Sequence, residues 1–232
     1  MGVFRVHSRP FATKNILVSF LEKFLRAKPV VWTLLILPGL WPVWPLFVTR
    51  SAAAGADPLK FILHHLGFVA CVLLAVVLTF TPLRVLFPKS KLVLALNRHR
   101  RLVGVASFAY ALLHLVAHIL HEGGTDPAQL AVIFRTALRT PFQLTGLITF
   151  TILFVLTVTS VNSLVRRLGG MRWKNLHRLA YVAAALAAYH QAAARKIFPR
   201  QVLWIFVPLA LLELGRIIRQ RRNAVARVNA PL

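Results

Sequence analysis

The sequence predicts an all-α, polytopic membrane protein built as a six-helix transmembrane bundle. Three observations carry that expectation. Of 232 residues, 58% are hydrophobic, and they gather into long runs free of charge. The formal net charge is nevertheless +24, with the basic residues falling mainly between those runs. Only five carboxylates (Glu22, Asp57, Glu122, Asp126 and Glu213) stand against 29 Lys and Arg. In a soluble protein such a charge would suit nucleic acid. Cations interleaved with apolar runs instead suit water and lipid phosphate at the two faces of a bilayer, so the expected partner is membrane lipid and no nucleic acid.

A spanning helix needs about 20 mostly apolar residues. Residues 1–29 mix Lys14, Glu22, Lys23, Arg26 and Lys28 among apolar side chains, so they lack the clean apolar region of a signal peptide. A basic segment lying on the cytoplasmic membrane surface is expected there. The first span, 30–48, contains Pro38, Pro42 and Pro45; proline removes backbone hydrogen bonds, which predicts a kink. The other spans are read at 61–80, 102–120, 143–163, 176–194 and 202–218. Residues 30–218 thus form one membrane domain, and 219–232 read as a basic cytoplasmic tail.

Lys and Arg set the orientation. Segments 1–29, 81–101, 164–178 and 214–232 hold 22 of the 29, and the alternate segments hold seven. The positive-inside rule puts the first set, with both termini, on the cytoplasmic side.

Several chemistries are missing from the residues. The lone cysteine, Cys71, lies inside an apolar run and allows no intrachain disulfide. No HExxH, GxSxG or Walker motif occurs. The tail is too short for a flavin or nicotinamide domain. Carboxylates are nearly absent from the spans, so a cation transporter or proton pump would lack relay groups. Electron transfer remains.

The histidines fit that chemistry. The fifth span runs outward from His177 near the cytoplasmic face, and His190 lies 13 residues further on, roughly 20 Å at the helical rise. The third span also runs outward, which brings His114 to the depth of His190. Two neutral imidazoles on two helices at one depth can ligate the two faces of one haem. His118, four residues beyond His114, shares its face and competes for that role. An inner haem on His177 needs a partner about 14 residues before His114, where Arg100 stands beside His99. Arginine suits a haem propionate better than iron, and Arg100, Arg101 and Arg178 are either propionate partners or solvated loop charge. His64 is a helix-end hydrogen bonder, a propionate partner or a ligand. His121 and Glu122 read as an interface loop, and His7 as solvated. One geometric conflict stands: 13 residues of ideal helix leave His177 and His190 about 140° out of alignment. A π-bulge, or a central place for the fifth helix, would reconcile them.

In these residues the chain resembles the MsrQ (formerly YedZ) family, the haem-bearing membrane subunit of the bacterial MsrPQ methionine sulfoxide reductase system. The likeness rests on "GADPLKFILHHLG", "TPLR", "RRLVGVASFAYALLHL", "RTPFQLTG" and "RWKNLHRLAYVAAALAAYH", in that order. That family falls in the ferric reductase-like transmembrane superfamily, in which histidine pairs on the third and fifth helices hold two stacked b-type haems. His114, His177 and His190 match three of those four ligands, and the fourth falls at Arg100. The resemblance implies one or two haem b, FMN, and electron delivery to a periplasmic molybdopterin reductase of the MsrP kind. The donor it implies is quinol from the quinone pool or a cytosolic flavin reductase. The chain would then be the electron-transfer subunit of an oxidoreductase system rather than its catalytic subunit. The competing expectations are a transmembrane ferric or other metal-ion reductase and a haem-free transporter or assembly protein.

Overall fold

The computed structural model describes residues 27–51, 55–195 and 197–228, and among them every regular element is helical. In chain order these are α1 (Lys28–Leu40), a π-helical turn (Trp44–Val48), α2 (Pro58–Leu86), α3 (Lys91–Arg98), α4 (Arg100–His121) and α5 (Pro127–Arg139). There follow α6 (Pro141–Val158), α7 (Asn162–Leu168), α8 (Gly170–His177), α9 (Leu179–Ala193) and α10 (Gln201–Val228). Four of them, α2, α4, α6 and α10, are long and apolar enough to cross a membrane. The two other predicted spans take shape as shorter pieces: 30–48 as α1 with the π-turn, and 176–194 as α9 with the end of α8.

The prolines explain the first division. Pro42 has no N–H to give the carbonyl of Pro38, four residues back. His65 Nε2, from α2, lies 2.6 Å from that oxygen and donates to it, and Trp41 stacks on the same imidazole at 5.2 Å. The expected kink is therefore a break, mended from a neighbouring helix.

α2 is the central helix. It packs against α4, α10, α9, α3 and α1, and half of its most apolar window is buried, against 11% for α10. Its ends are held by other chain segments. The Asp57 carboxylate accepts from the backbone N–H of Lys60 at 3.0 Å and from His121 Nε2 at 3.1 Å, which ties the start of α2 to the end of α4. Arg219 of α10 donates to the carbonyl of Leu86 at the other end, one of the helix-terminal acceptors without an intrahelical partner. Between them, the fully buried Ser107 of α4 donates to Ala70 O of α2 at 3.0 Å.

The outward faces suit lipid rather than water. Phe154, Trp204 and Leu211 are half exposed or more, which is stable only beside an apolar solvent. Thr149 and Thr151 in α6 satisfy their hydroxyls on carbonyls four residues back, so they need no partner in the bilayer.

Helix also extends beyond the predicted spans in two places. The predicted connection 121–142 contains α5, whose first N–H groups are capped by Asp126 and whose Leu130, Phe134 and Leu138 are exposed. The periodicity of α5 is too short to span, so a count of spans passes over it. α10 continues unbroken to Val228, into the range read as the basic tail 219–232. Apolarity stops near Ile218, but the basic residues beyond it are good helix formers. Of the predicted surface segment 1–29, residues 1–26 lie outside the described residues.

Candidate functional site

The outer site is assembled from four helices. α4 supplies His114 and α9 supplies His190, and their rings lie 6.1 Å apart with planes at 86°. Neither imidazole is free to turn. His114 Nδ1 donates to the carbonyl of Leu63 in α2 at 2.9 Å. His190 Nδ1 donates to the carbonyl of Phe142 in α6 at 2.6 Å. A carbonyl can only accept, so each ring nitrogen facing one carries the proton. Each neutral ring thereby keeps the Nε2 lone pair for a ligand. A hydrogen bond of this kind orients a metal-binding histidine and raises its basicity.

Each ring also lies on a glycine one helical turn past its carbonyl. A Cβ at Gly67 would fall 2.8 Å from His114 Nδ1, and one at Gly146 would fall 2.7 Å from His190 Nδ1. Leu63 and Gly67 are four residues apart, as are Phe142 and Gly146, so the two seats are alike. A third copy holds Tyr110, whose hydroxyl donates to Leu35 O at 2.7 Å and covers Gly39. The device seats rings in helix grooves generally; with histidine it also selects the tautomer.

The donor set fits haem. Two imidazoles bound to one metal from opposite sides, through bonds of about 2 Å, have ring centres about 6 Å apart. Among the described residues no group of three or more His, Cys, Asp or Glu could hold a bare metal ion. Haem needs only two protein ligands, because the porphyrin supplies the in-plane ones.

His118, the competitor on α4, makes no ring contact with His190 among the described residues. His64 is exposed on α2 and forms no hydrogen bond among the described residues. His121 is tied to Asp57 and Glu122, as an interface residue would be. The Lys60 N–H and His121 together hold the Asp57 carboxyl below the usual carboxylate range.

The inner site is built differently. A cavity of about 250 Å³ is lined by His177, Arg100, Arg101, Gly104, Ser160 and Trp173, among others. His177 is the one histidine on that lining. Its Nδ1 donates to Trp173 O of its own helix at 3.1 Å, its Nε2 lies 3.3 Å from Ser160 Oγ, and its ring lies 4.0 Å from that of Trp173. Arg101 donates to Asn162 Oδ1. Arg178 is exposed and is absent from the lining. His99 precedes α4 as its N-cap residue and does not line the cavity.

Arg178 has another part to play. It interrupts the helix between His177 and His190, with i to i+3 hydrogen bonds on both sides of it, Arg178 N to Asn175 O and Tyr181 N to Arg178 O. The two histidines therefore fall in different helical segments, α8 and α9, so one ideal 13-residue helix does not describe their spacing. Sequence reasoning missed Gly67 and Gly146, although each closes a stretch quoted above, "FILHHLG" and "FQLTG". A glycine in the interior of an apolar helix costs helix stability and signals a close approach.

The family described as ferric reductase like transmembrane component matches residues 66–188, more than half of the chain. The chain belongs to that family. The match contains His114 and His177 and stops two residues short of His190. With its apolar helices it makes the chain a multi-pass membrane protein with a membrane electron-transfer role.

Proposed function

We propose that this member of the ferric reductase-like transmembrane family carries electrons across the bacterial inner membrane on haem b, from quinol or a cytosolic flavin reductase to a periplasmic MsrP-like molybdopterin reductase that repairs methionine sulfoxide. The observation that supports this best is the pair His114 and His190, 6.1 Å apart, each with Nδ1 tied to a carbonyl. Haem, when bound, supplies a one-electron carrier whose potential the surroundings tune. The chain's own residues do the rest. Leu63 and Phe142 fix the two tautomers, while Gly67 and Gly146 let the rings approach the backbone. The apolar helices keep water away, so that little reorganises when charge arrives.

In this reading the six predicted spans all cross, with α1 and its π-turn as the first and α8–α9 as the fifth, and both termini are cytoplasmic. At the inner cavity, Arg100 and Arg101 would balance propionates, and His177 offers a single imidazole. The metal-ion reductase is the weaker reading, because an outer surface with Asp57, Glu122 and Asp126 as its carboxylates offers little to a metal cation.

The test uses the full chain in sealed liposomes. With a flavin reductase and NADH trapped on the cytoplasmic face, an added MsrP-like protein outside should reduce methionine sulfoxide at a rate that falls to background with His190→Ala. Reduction of external ferric chelate but not of the molybdopterin protein would favour the metal-ion reductase.

A further inference from the structure

We propose that the groove between α9 and α10 is a binding site for a lipid-soluble quinol, and that Glu213 accepts its proton. The proposal rests on the electron-transfer reading above and assigns the entry point for electrons. Among the described residues, Glu213 is the one carboxylate inside a membrane-crossing helix. Such a group is costly in lipid, and its persistence there points to function. Tyr181 donates its hydroxyl to Glu213 Oε1 at 2.8 Å. Arg216 Nε lies 2.7 Å from Glu213 Oε2, and its guanidinium stands 5.9 Å from the centre of the Tyr181 ring.

A bridge between two helices would need no more than this triad. Here the triad closes one end of a groove of about 220 Å³ floored by Ala185, Ala188 and Ala210 and flanked by Phe206. From Phe206 to Glu213 the groove covers about 10 Å of helix, enough for one substituted ring and the start of its tail. Its walls are almost wholly apolar, and it opens sideways toward lipid. Arg216 is already neutralised by Glu213, so the site offers no free cation to a phospholipid headgroup or a flavin phosphate. What fits is a neutral, flat molecule with a hydroxyl at one end.

The groove also has the right neighbour. Tyr181 and Ala184 line it, while Ala180, in the same helix, and His177, across the break at Arg178, line the inner cavity. Oxidation of the quinol breaks two O–H bonds and releases two protons and two electrons. Glu213 takes the first proton on a carboxylate oxygen as its pairing with Arg216 loosens, then passes it to cytoplasmic water and takes the second. In the proposed reading, haem held by the chain would take up the two electrons one at a time.

The test uses the full chain in lipid nanodiscs, with an azido-ubiquinone photolabel, decylubiquinol as reductant, and two variants. Ala185→Phe fills the groove without touching the triad, and Glu213→Gln keeps the shape but removes the base. The label should fall on residues 181–188 and 206–213, compete with decylubiquinone but not with added phospholipid, and be lost in Ala185→Phe. Haem reduction by decylubiquinol should slow by about tenfold or more in both variants, the scale of one lost charged interaction, while dithionite reduces the same haem fully. Label elsewhere, competition by phospholipid, or unchanged quinol rates in both variants would overturn the proposal. A chain that binds no haem would sink the electron-transfer reading, whereas the label would still report on the groove.

Discussion

The outer and inner ends of the bundle place histidines in opposite circumstances. At the outer end, two imidazoles on separate helices face each other, and the carbonyls of two further helices hold their Nδ1 protons. At the inner end, a single imidazole lines the cavity, leaning on Ser160 and Trp173, and Arg98, Arg100 and Arg101 join an otherwise largely apolar wall. Both histidine environments are semi-buried and polar in part. What separates them is whether a second ring is supplied and whether Nε2 is left for a ligand. Under the proposed function a haem would need both conditions, and the outer end is the one that would meet them.

The largest effect should come from breaking the complete end. His114→Ala or His190→Ala should remove all haem from the outer position, counted as pyridine haemochrome per chain, whereas His177→Ala should leave it in place. If His177→Ala empties the outer position as well, the two ends are not independent. Next comes completing the incomplete end: Arg100→His puts an imidazole on the cavity wall that His177 already lines. Haem per chain should rise by about one, with a bis-histidine spectrum; an unchanged count would show that Arg100 does not face His177.

A smaller change tests the seats. Replacing glycine by alanine inside a helix ordinarily favours the helix by about 1 kcal/mol. Gly146→Ala should instead lower haem retention and shift the optical spectrum, because the new methyl meets His190 within 2.7 Å. Gly39→Ala meets Tyr110 just as closely and should leave the spectrum unaltered. Tyr110→Phe should cost about 1 kcal/mol of stability, the worth of one hydrogen bond, with haem content constant. The smallest effect belongs to Asp57. Its carboxyl is held below its ordinary value by Lys60 N–H and His121, so its contribution is present at neutral pH and is lost as acid titrates it through that lowered value. Asp57→Asn should lower stability slightly at neutral pH and flatten the acid limb of a thermal-stability profile, the two proteins converging in acid.

Much of this contrast could be read from the sequence. Long apolar runs mark the four long apolar helices, and counting depth along two outward runs brings His114 and His190 level. Arg100 could be read as a departure by the same counting. What escaped was local geometry. The break at Arg178 depends on hydrogen bonds of i to i+3 type, which leave no periodic trace in an alanine-rich run. Gly67 and Gly146 matter because a ring from another helix lies on each, and one-dimensional pattern does not record which helices touch. α5 is amphipathic and short, so a search for spans treats it as loop. The Tyr181–Glu213–Arg216 triad joins residues more than thirty positions apart, although a lone carboxylate in an apolar run is a visible flag.

The contrast between the two ends is tested most directly by purifying the full chain, counting haem, and recording reduced-minus-oxidised optical and low-temperature electron paramagnetic resonance spectra of it and of His190→Ala and His177→Ala. A b-type, low-spin bis-histidine signal is expected that vanishes with His190→Ala and persists with His177→Ala. A signal that survives His190→Ala, or a chain that takes up no haem when haem is supplied, would contradict the assignment of His114 and His190 as an axial pair.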